Sequence, residues 1–175
     1  MQIFKHSFFG LVTMLVTLFQ ISAIRTIGEH SFITLPIIIL MLYLLIEGFR
    51  LTLIHTLIAG FIFDIFSTQP FGTYTVILLI IVFLGSLIMA TTLSVKSNLP
   101  ILFLVFLSSI FFYLTLEFVE YFVNNFLHNS NSSFYTGTFL LWMCVAVVLN
   151  SVSVLALYRI FSSKRNFKLK PYMVR

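Results

Sequence analysis

The sequence contains few charged residues. Of its 175 residues, 9% are Asp, Glu, Lys or Arg, whereas a soluble domain carries about 25%. Hydrophobic residues make up 60% of the chain, and the mean hydropathy is +1.11. This composition excludes an ordinary water-soluble domain. It predicts an all-α, polytopic integral membrane protein.

Cysteine is almost absent as well. The single cysteine, Cys144, excludes an internal disulfide, and we expect it in the apolar core. No spacing of Cys and His resembles a metal site. The sequence also lacks a glycine-rich phosphate loop, and no Ser or Cys nucleophile has a base beside it in sequence. We therefore predict no catalytic residue, no metal, no cofactor and no enzymatic activity.

Long apolar runs are what the sequence does contain. A helix needs about 20 apolar residues to cross a bilayer, so the chain holds at most six or seven spans. The first run imitates a signal peptide but is longer than a usual signal, and we interpret it as a retained helix. The predicted spans are residues 8–24, 32–46, 51–66, 73–91, 99–123 and 137–161, and a basic tail follows at 162–175.

The break between spans two and three decides the topology. Glu47, Gly48 and Arg50 interrupt the apolar run. One continuous helix would hold both charges at mid-depth, which is expensive, so we predict a tight hairpin and six spans in total. Both termini then share one side with nine of the ten Lys and Arg residues, and only Arg25 lies opposite. That side is cytoplasmic by the positive-inside rule.

The net charge of +5 comes mostly from the C-terminal tail. In a membrane protein such a tail indicates contact with anionic lipid, and we predict no nucleic-acid partner. The tail residues expected to face lipid are Lys164, Arg165, Lys168 and Lys170.

Small and polar residues recur every fourth position along span three. Gly48, Thr52, Thr56 and Gly60 share one helix face. Helices gain no hydrophobic free energy by meeting in lipid, so small residues that allow close approach favour their association. We interpret these four residues as a helix-packing seam. Asp64 continues the same face.

Asp64 is the least expected residue of span three. A charged side chain at the bilayer centre costs about 2.5–3.5 kcal/mol, and the negative end of a helix also disfavours a carboxylate. Asp64 either reaches the membrane interface or has a structural or partner-contacting role, and we favour the second.

Glu117 and Glu120, late in span five, are predicted in the same outer half of the bilayer as Asp64. The three acids either meet water separately or share an outward groove between spans three and five. A protein partner's cationic segment or a cationic solute would fit that groove.

Two further spans carry polar residues. Thr13, Thr17 and Gln20 share a face of span one, and Asn150 lies near the middle of span six. The polar face of span one predicts a contact with another helix, and Asn150 is predicted to hydrogen-bond to another helix.

One motif resembles a known family. Gly60, Asp64 and Gly72 have the spacing G-x3-D-x7-G, and a long apolar helix follows. This segment resembles that of the bacterial rod shape-determining protein MreD family. The likeness extends to chain length, number of spans, a basic C-terminal tail and acidic residues late in span five.

The resemblance implies a fold similar to the six-helix substrate-binding subunits of vitamin transporters. It also implies a non-enzymatic scaffold of the cell-wall elongation machinery in the bacterial inner membrane. Such a scaffold joins an MreC-like membrane protein to the cytoplasmic actin-like filament and to peptidoglycan synthases of the RodA and class B penicillin-binding types. A homo-oligomer is left open. The alternatives are a substrate-binding subunit of a small-molecule transporter and, less favoured, a channel or ion carrier.

Overall fold

The structure, a computed structural model, consists of helices. It describes residues 2–27, 34–67, 69–92, 99–127 and 137–164. These residues form six α-helices, a π-helical turn and no strand. The helices are α1 (Gln2–Ile27), α2 (Leu35–Glu47), α3 (Phe49–Phe66), α4 (Thr73–Thr92), α5 (Leu99–Phe122) and α6 (Gly137–Lys164), with the π turn at Val123–Leu127. The all-helical class is therefore confirmed.

Four of the helices are long and apolar enough to cross a membrane. The candidate spans are Phe49–Phe66, Thr73–Ala90, Ile101–Phe126 and Phe139–Arg159. The other two helices carry shorter apolar stretches, Phe9–Ser22 in α1 and Leu35–Glu47 in α2. At 1.5 Å per residue, α2 is only about 20 Å long, whereas the hydrocarbon core is about 30 Å thick. These lengths and compositions are those of a membrane protein.

A single residue separates α2 from α3. Gly48 follows Glu47 and precedes Phe49, and its φ is 90°. Glycine adopts positive φ without steric cost, so the chain can reverse here within one residue. The predicted break is confirmed, although α3 begins two residues before the predicted start.

Helix α2 lies at the centre of the bundle. It contacts all five other helices, and nine of its 13 residues are buried. Around it, α1 packs against α3, α3 against α4, α4 against α5, and α5 against α6. Within the part of the chain that the structure describes, α1 and α6 do not contact each other. The fold is thus a central helix inside an open ring of five.

The buried core is mainly apolar but also contains polar side chains. Met41, Leu44, Val82, Val105 and Val154 are fully enclosed between helices. Other large apolar side chains point outward, as a membrane protein requires of surfaces that meet acyl chains. The expectation for Cys144 was wrong, because Cys144 is exposed. It lies on α6, only part of whose circumference contacts other helices.

Two chain segments differ from or extend beyond the predictions. Span five was predicted to end at residue 123, but the helix continues as a π turn to Leu127. Hydrophobic periodicity does not reveal a π turn, because the extra residue per turn shifts the pattern over too short a length. Lys164 is the last residue of α6. The remaining tail residues lie outside the described residues.

Candidate functional site

The predicted packing seam is buried along α3. Thr52 and Thr56 have no exposed surface, and Gly60 is also buried. The Thr52 hydroxyl donates to the Gly48 carbonyl at 2.8 Å, and the Thr56 hydroxyl donates to the Thr52 carbonyl at 2.8 Å. Because these hydroxyls bond within their own helix, the seam contributes small volume rather than hydrogen bonds between helices. Gly48, at the start of the seam, is half-buried.

Gly60 lies where α3 and α4 come closest. A Cβ atom built on Gly60 would lie 2.5 Å from the Thr75 Cα and 2.8 Å from the Thr75 Oγ1. The first of these is a backbone atom, so a side chain at position 60 would have to displace α4. Only glycine permits this approach of the two helices.

Asp64 caps the beginning of α4. Its Oδ1 accepts a hydrogen bond from the Tyr74 N–H at 2.8 Å, and its Oδ2 accepts one from the Thr75 N–H at 3.1 Å. The Thr75 hydroxyl also donates a short bond to Oδ2. Since α4 begins at Thr73, these are N–H groups that have no partner inside the helix. Asp64, on the preceding helix α3, therefore caps α4 as an N-cap residue normally does.

The capping explains how a carboxylate can be 96% buried here, with only 4% of Asp64 exposed. The end of α3 disfavours negative charge, but the start of α4 carries partial positive charge and favours it. Hydrogen bonds to an ionised acceptor are also stronger than neutral ones. Asp64 thus makes a structural contact with α4, with both carboxylate oxygens bonded.

Gly72 occupies the position that normally holds the capping side chain. It directly precedes α4 and has φ of 96°, which favours glycine. Its carbonyl accepts from the Val76 N–H at 2.9 Å, as the first bond of the helix. Ser, Thr, Asp or Asn is usual at this position. Because glycine has no side chain to cap the helix, the first N–H groups of α4 bond to Asp64 instead. We call Gly60, Asp64, Gly72, Tyr74 and Thr75 the α3–α4 joint.

Glu117 and Glu120 lie on α5, apart from the joint. Glu117 is half-buried and Glu120 is exposed. The predicted groove between spans three and five does not have the expected neighbours, because α4 lies between α3 and α5, and the described residues of α3 and α5 have no contact. The sequence could not indicate this order of helices, since it depends on how all six pack.

Tyr74 connects the joint with α5. Its ring stacks on Phe63 of α3 at a centroid distance of 5.2 Å and lies 6.3 Å from the ring of Phe112 on α5. Asp64 and Glu120 both lie close enough to Tyr74 to influence it electrostatically. Asp64 and Glu120 are thus linked through an aromatic residue of α4.

A second capped helix start was not predicted. The Leu35 N–H donates to Gln20 Oε1 of α1 at 3.2 Å, and the Thr34 N–H donates to Asn150 Oδ1 of α6 at 3.1 Å. The Asn150 amide donates in turn to the Thr34 hydroxyl at 2.8 Å. The predicted bond of Asn150 to another helix is confirmed. On the polar face of α1, Gln20 bonds to another helix, whereas the Thr13 and Thr17 hydroxyls bond to carbonyls of α1 itself. The common target of Gln20 and Asn150 is the N-terminus of α2, which Pro36 marks in the sequence as a helix start.

Buried groups of α5 complete this polar cluster. Asn150 also donates to the Ser109 hydroxyl at 3.4 Å, and Tyr113 bonds with Thr34 and Asn150. Thr34, Ser109 and Asn150 are all less than a tenth exposed. Buried polar groups stabilise a fold when their partners are present, and here one cluster joins α2, α5 and α6.

Neither the metal-binding potential of the described residues nor the comparisons with known proteins indicates a function. Among the described residues, no three His, Cys, Asp or Glu side chains come together in a group that could hold a metal ion. No protein-family model, curated protein or solved structure matches the chain. Its function is therefore inferred from the α3–α4 joint and from the resemblance of the sequence.

Proposed function

We propose that this chain is a non-enzymatic scaffold of the cell-wall elongation machinery in the cytoplasmic membrane of a bacterium. The observation that carries the proposal is that Gly60, Asp64 and Gly72, the residues of the family motif, all belong to one joint between α3 and α4. Gly60 permits the close approach of α3 and α4, Asp64 caps α4, and Gly72 allows the chain to reverse.

The use of the Asp64 oxygens supports a structural role for the motif. Both oxygens accept hydrogen bonds from α4, and Asp64 is almost fully buried. A catalytic or solute-binding carboxylate would instead direct at least one oxygen to a cavity. A motif that holds two helices in place is typical of a family that shares a shape rather than a reaction.

Two observations support six spans, and the orientation with both termini in the cytoplasm rests on the distribution of Lys and Arg along the chain. Helix α1 has 26 residues, a length of about 39 Å, which exceeds the hydrocarbon core. Helix α2 is short, but its first N–H groups are bonded to Gln20 and Asn150, so its start can lie inside hydrocarbon without unsatisfied donors. In this topology Arg50 and Arg159 face the cytoplasm with the basic tail.

The proposed partners follow from the same topology. An MreC-like protein approaches from the outer side, where Glu120 is exposed at the end of α5 and can meet a cation beside the partner's membrane span. Synthases of the RodA and class B penicillin-binding types pack laterally, the actin-like filament lies on the cytoplasmic side, and the basic tail contacts anionic lipid.

The structure does not favour the transporter alternative. A cavity of about 350 Å³ lies between α5 and α6 and is open to the outside of the bundle. The polar side chain in the lining of this cavity is that of Ser151, whose hydroxyl donates to the Val147 carbonyl. Such a lining suits an acyl chain rather than a polar vitamin. The remaining lining residues are Leu102, Phe103, Phe106, Val148 and Val152.

The test is genetic and biochemical, in the organism that encodes the chain. We expect depletion of the chain to convert rod-shaped cells to spheres, and an affinity-tagged copy to restore rods and to recover the MreC-like protein. Glu120→Lys should lower that recovery several-fold, with Glu120→Gln in between, while the amount of chain in the membrane stays constant. Normal rods after depletion, with no MreC-like protein recovered, would reject the scaffold.

A further inference from the structure

On one side of the bundle, the described residues of two neighbouring helices of the ring, α1 and α6, pack on α2 but not on each other. Helix α1 packs on α2 and α3, and α6 packs on α2 and α5. Between α1 and α6 the described residues make no contact. Every other neighbouring pair in the ring is packed directly.

The central helix is least buried towards that side. Leu35, Ile39 and Ile46 are half-buried, whereas the other apolar residues of α2 are buried. Leu35, Ile39, Leu42 and Ile46 lie four, three and four residues apart, so they share one face. Tyr43, on one flank of this face, contacts Phe9 of α1; Thr34, on the other flank, contacts Asn150 of α6. The face therefore lies behind the opening between α1 and α6.

Gln20 and Asn150, on the two sides of this opening, bond to adjacent residues at the start of α2. Gln20 of α1 accepts from the Leu35 N–H, and Asn150 of α6 accepts from the Thr34 N–H. Gln20 is 3% exposed and Asn150 is not exposed. Two helices that do not touch are thus bonded to the same helix end. We call Gln20, Thr34, Leu35 and Asn150 the clasp.

We propose that the clasp is a closing device: it holds α1 and α6 against α2, and its release opens this side of the bundle to the bilayer. Packing on α2 and these hydrogen bonds together hold α1 and α6 in place, and interhelical hydrogen bonds in membranes are individually weak. Release frees α1 to move away from α6, because α1 keeps its packing on α3. The apolar face of α2 then becomes accessible from the side.

Spin labels can measure the opening in the full chain. Exposed Cys144 is replaced (Cys144→Ala) so that only introduced cysteines are labelled. One label pair, Phe19→Cys with Val148→Cys, spans the opening from α1 to α6, at exposed positions next to the clasp. A second pair, Leu57→Cys with Phe106→Cys, uses exposed positions on α3 and α5, on packed sides of the ring. Distances are measured by pulsed electron spin resonance in liposomes.

We expect Gln20→Met, which keeps the side-chain volume but removes the acceptor, to lengthen and broaden the Phe19–Val148 distance by several ångströms. Asn150→Leu should do the same, and the Leu57–Phe106 distance should stay constant in both. The matched control is Thr17→Val on the same buried face of α1. Its hydroxyl bonds to the Thr13 carbonyl of its own helix, so neither distance should change.

Unchanged Phe19–Val148 distances in the clasp variants would overturn the proposal. An equal change in both pairs would also overturn it, since that result means general loosening of the bundle. If Asn150→Leu, which loses several bonds, does not accumulate in membranes, Gln20→Met alone decides the outcome.

Discussion

Two helices in this bundle begin with N–H groups that are capped from another helix, and the two caps are built differently. The start of α4 is capped by the carboxylate of Asp64, 10 and 11 residues earlier in the chain. The start of α2 is capped by neutral amides, one 15 and the other 116 residues away. Both lie roughly 20–25 Å from Gly48 by helix rise. The two caps therefore differ in charge and in how far apart their residues lie in sequence, but not in their position along the bundle axis.

The comparison teaches which parts of the fold are locally specified. The α3–α4 joint needs only one hairpin, so its cap can form as soon as the two helices meet. The α2 cap needs α1, α2 and α6 together, and it forms only when the bundle is complete. Changes in the joint should therefore disturb pairing of α3 with α4, and changes in the clasp should disturb closure of the ring.

The largest effect on this comparison is expected from Gly60→Leu. A side chain at position 60 would collide with the Thr75 backbone, which cannot move without separating α3 from α4. Overpacking a core usually costs about 1–3 kcal/mol, and contact with backbone places this variant at or above the upper end. We expect a large loss of folded protein, measured by recovery from membranes and by helical circular dichroism during heating.

Gly10→Ala is the matched control for that variant. A Cβ on Gly10 would lie 3.7 Å from the nearest His55 atom, an ordinary contact. Its unfolding temperature should stay close to that of the wild type. An equal loss of folded protein in both glycine variants would contradict a special approach at Gly60.

Asp64→Leu is expected to have the second largest effect. It removes the acceptor of three hydrogen bonds and leaves two part-buried N–H groups unsatisfied. The cost is about 1–3 kcal/mol for each unsatisfied group, and partial burial places these two groups in the lower part of that range, so we expect destabilisation of roughly 2–4 kcal/mol. Asp64→Asn keeps one acceptor oxygen and should cost less. The measurement is the midpoint of thermal unfolding in detergent for the three proteins.

The same variant sharpens the comparison of the two caps. Asp64→Leu should leave the Phe19–Val148 distance unchanged wherever the protein still folds, because the joint and the clasp share no residue. Thr75→Val, which removes only the hydroxyl bond, provides a milder version of the same change. An opening between α1 and α6 in either variant would mean that the two caps are one cooperative unit.

Gly72→Ala should have the smallest effect. No atom lies within 4 Å of a Cβ built there, but the φ of 96° is unfavourable for alanine. The expected cost is about 1–2 kcal/mol from backbone conformation alone. Unfolding of this variant should keep the cooperativity of the wild type with a slightly lower midpoint. A cost as large as that of Asp64→Leu would show that Gly72 has a further contact.

The sequence indicated which polar residues take part in contacts between helices, but not which groups they bond to. The spacing of Gly48, Thr52, Thr56 and Gly60 predicted a buried helix face, and the polarity of Gln20 and Asn150 predicted contacts between helices, because each property depends on one helix only. The bonding of Gln20 and Asn150 to one helix end depends on three helices. Asp64 was recognised as a buried acid in need of a partner, but its partner, the start of α4, follows only from the turn at Gly72.

The amino-acid sequence by itself determined that this protein is a set of apolar helices, where most of them begin and end, and that Gly48 separates two of them. These properties follow from hydropathy, glycine and charge, which act within a few residues. Only the tertiary structure decided that α2 is the centre, that α4 separates α3 from α5, and that α1 and α6 stay apart. Helices with apolar surfaces all round can pack in many orders, and the order is selected by close approach at a few small residues and by the pairing of a few buried polar groups.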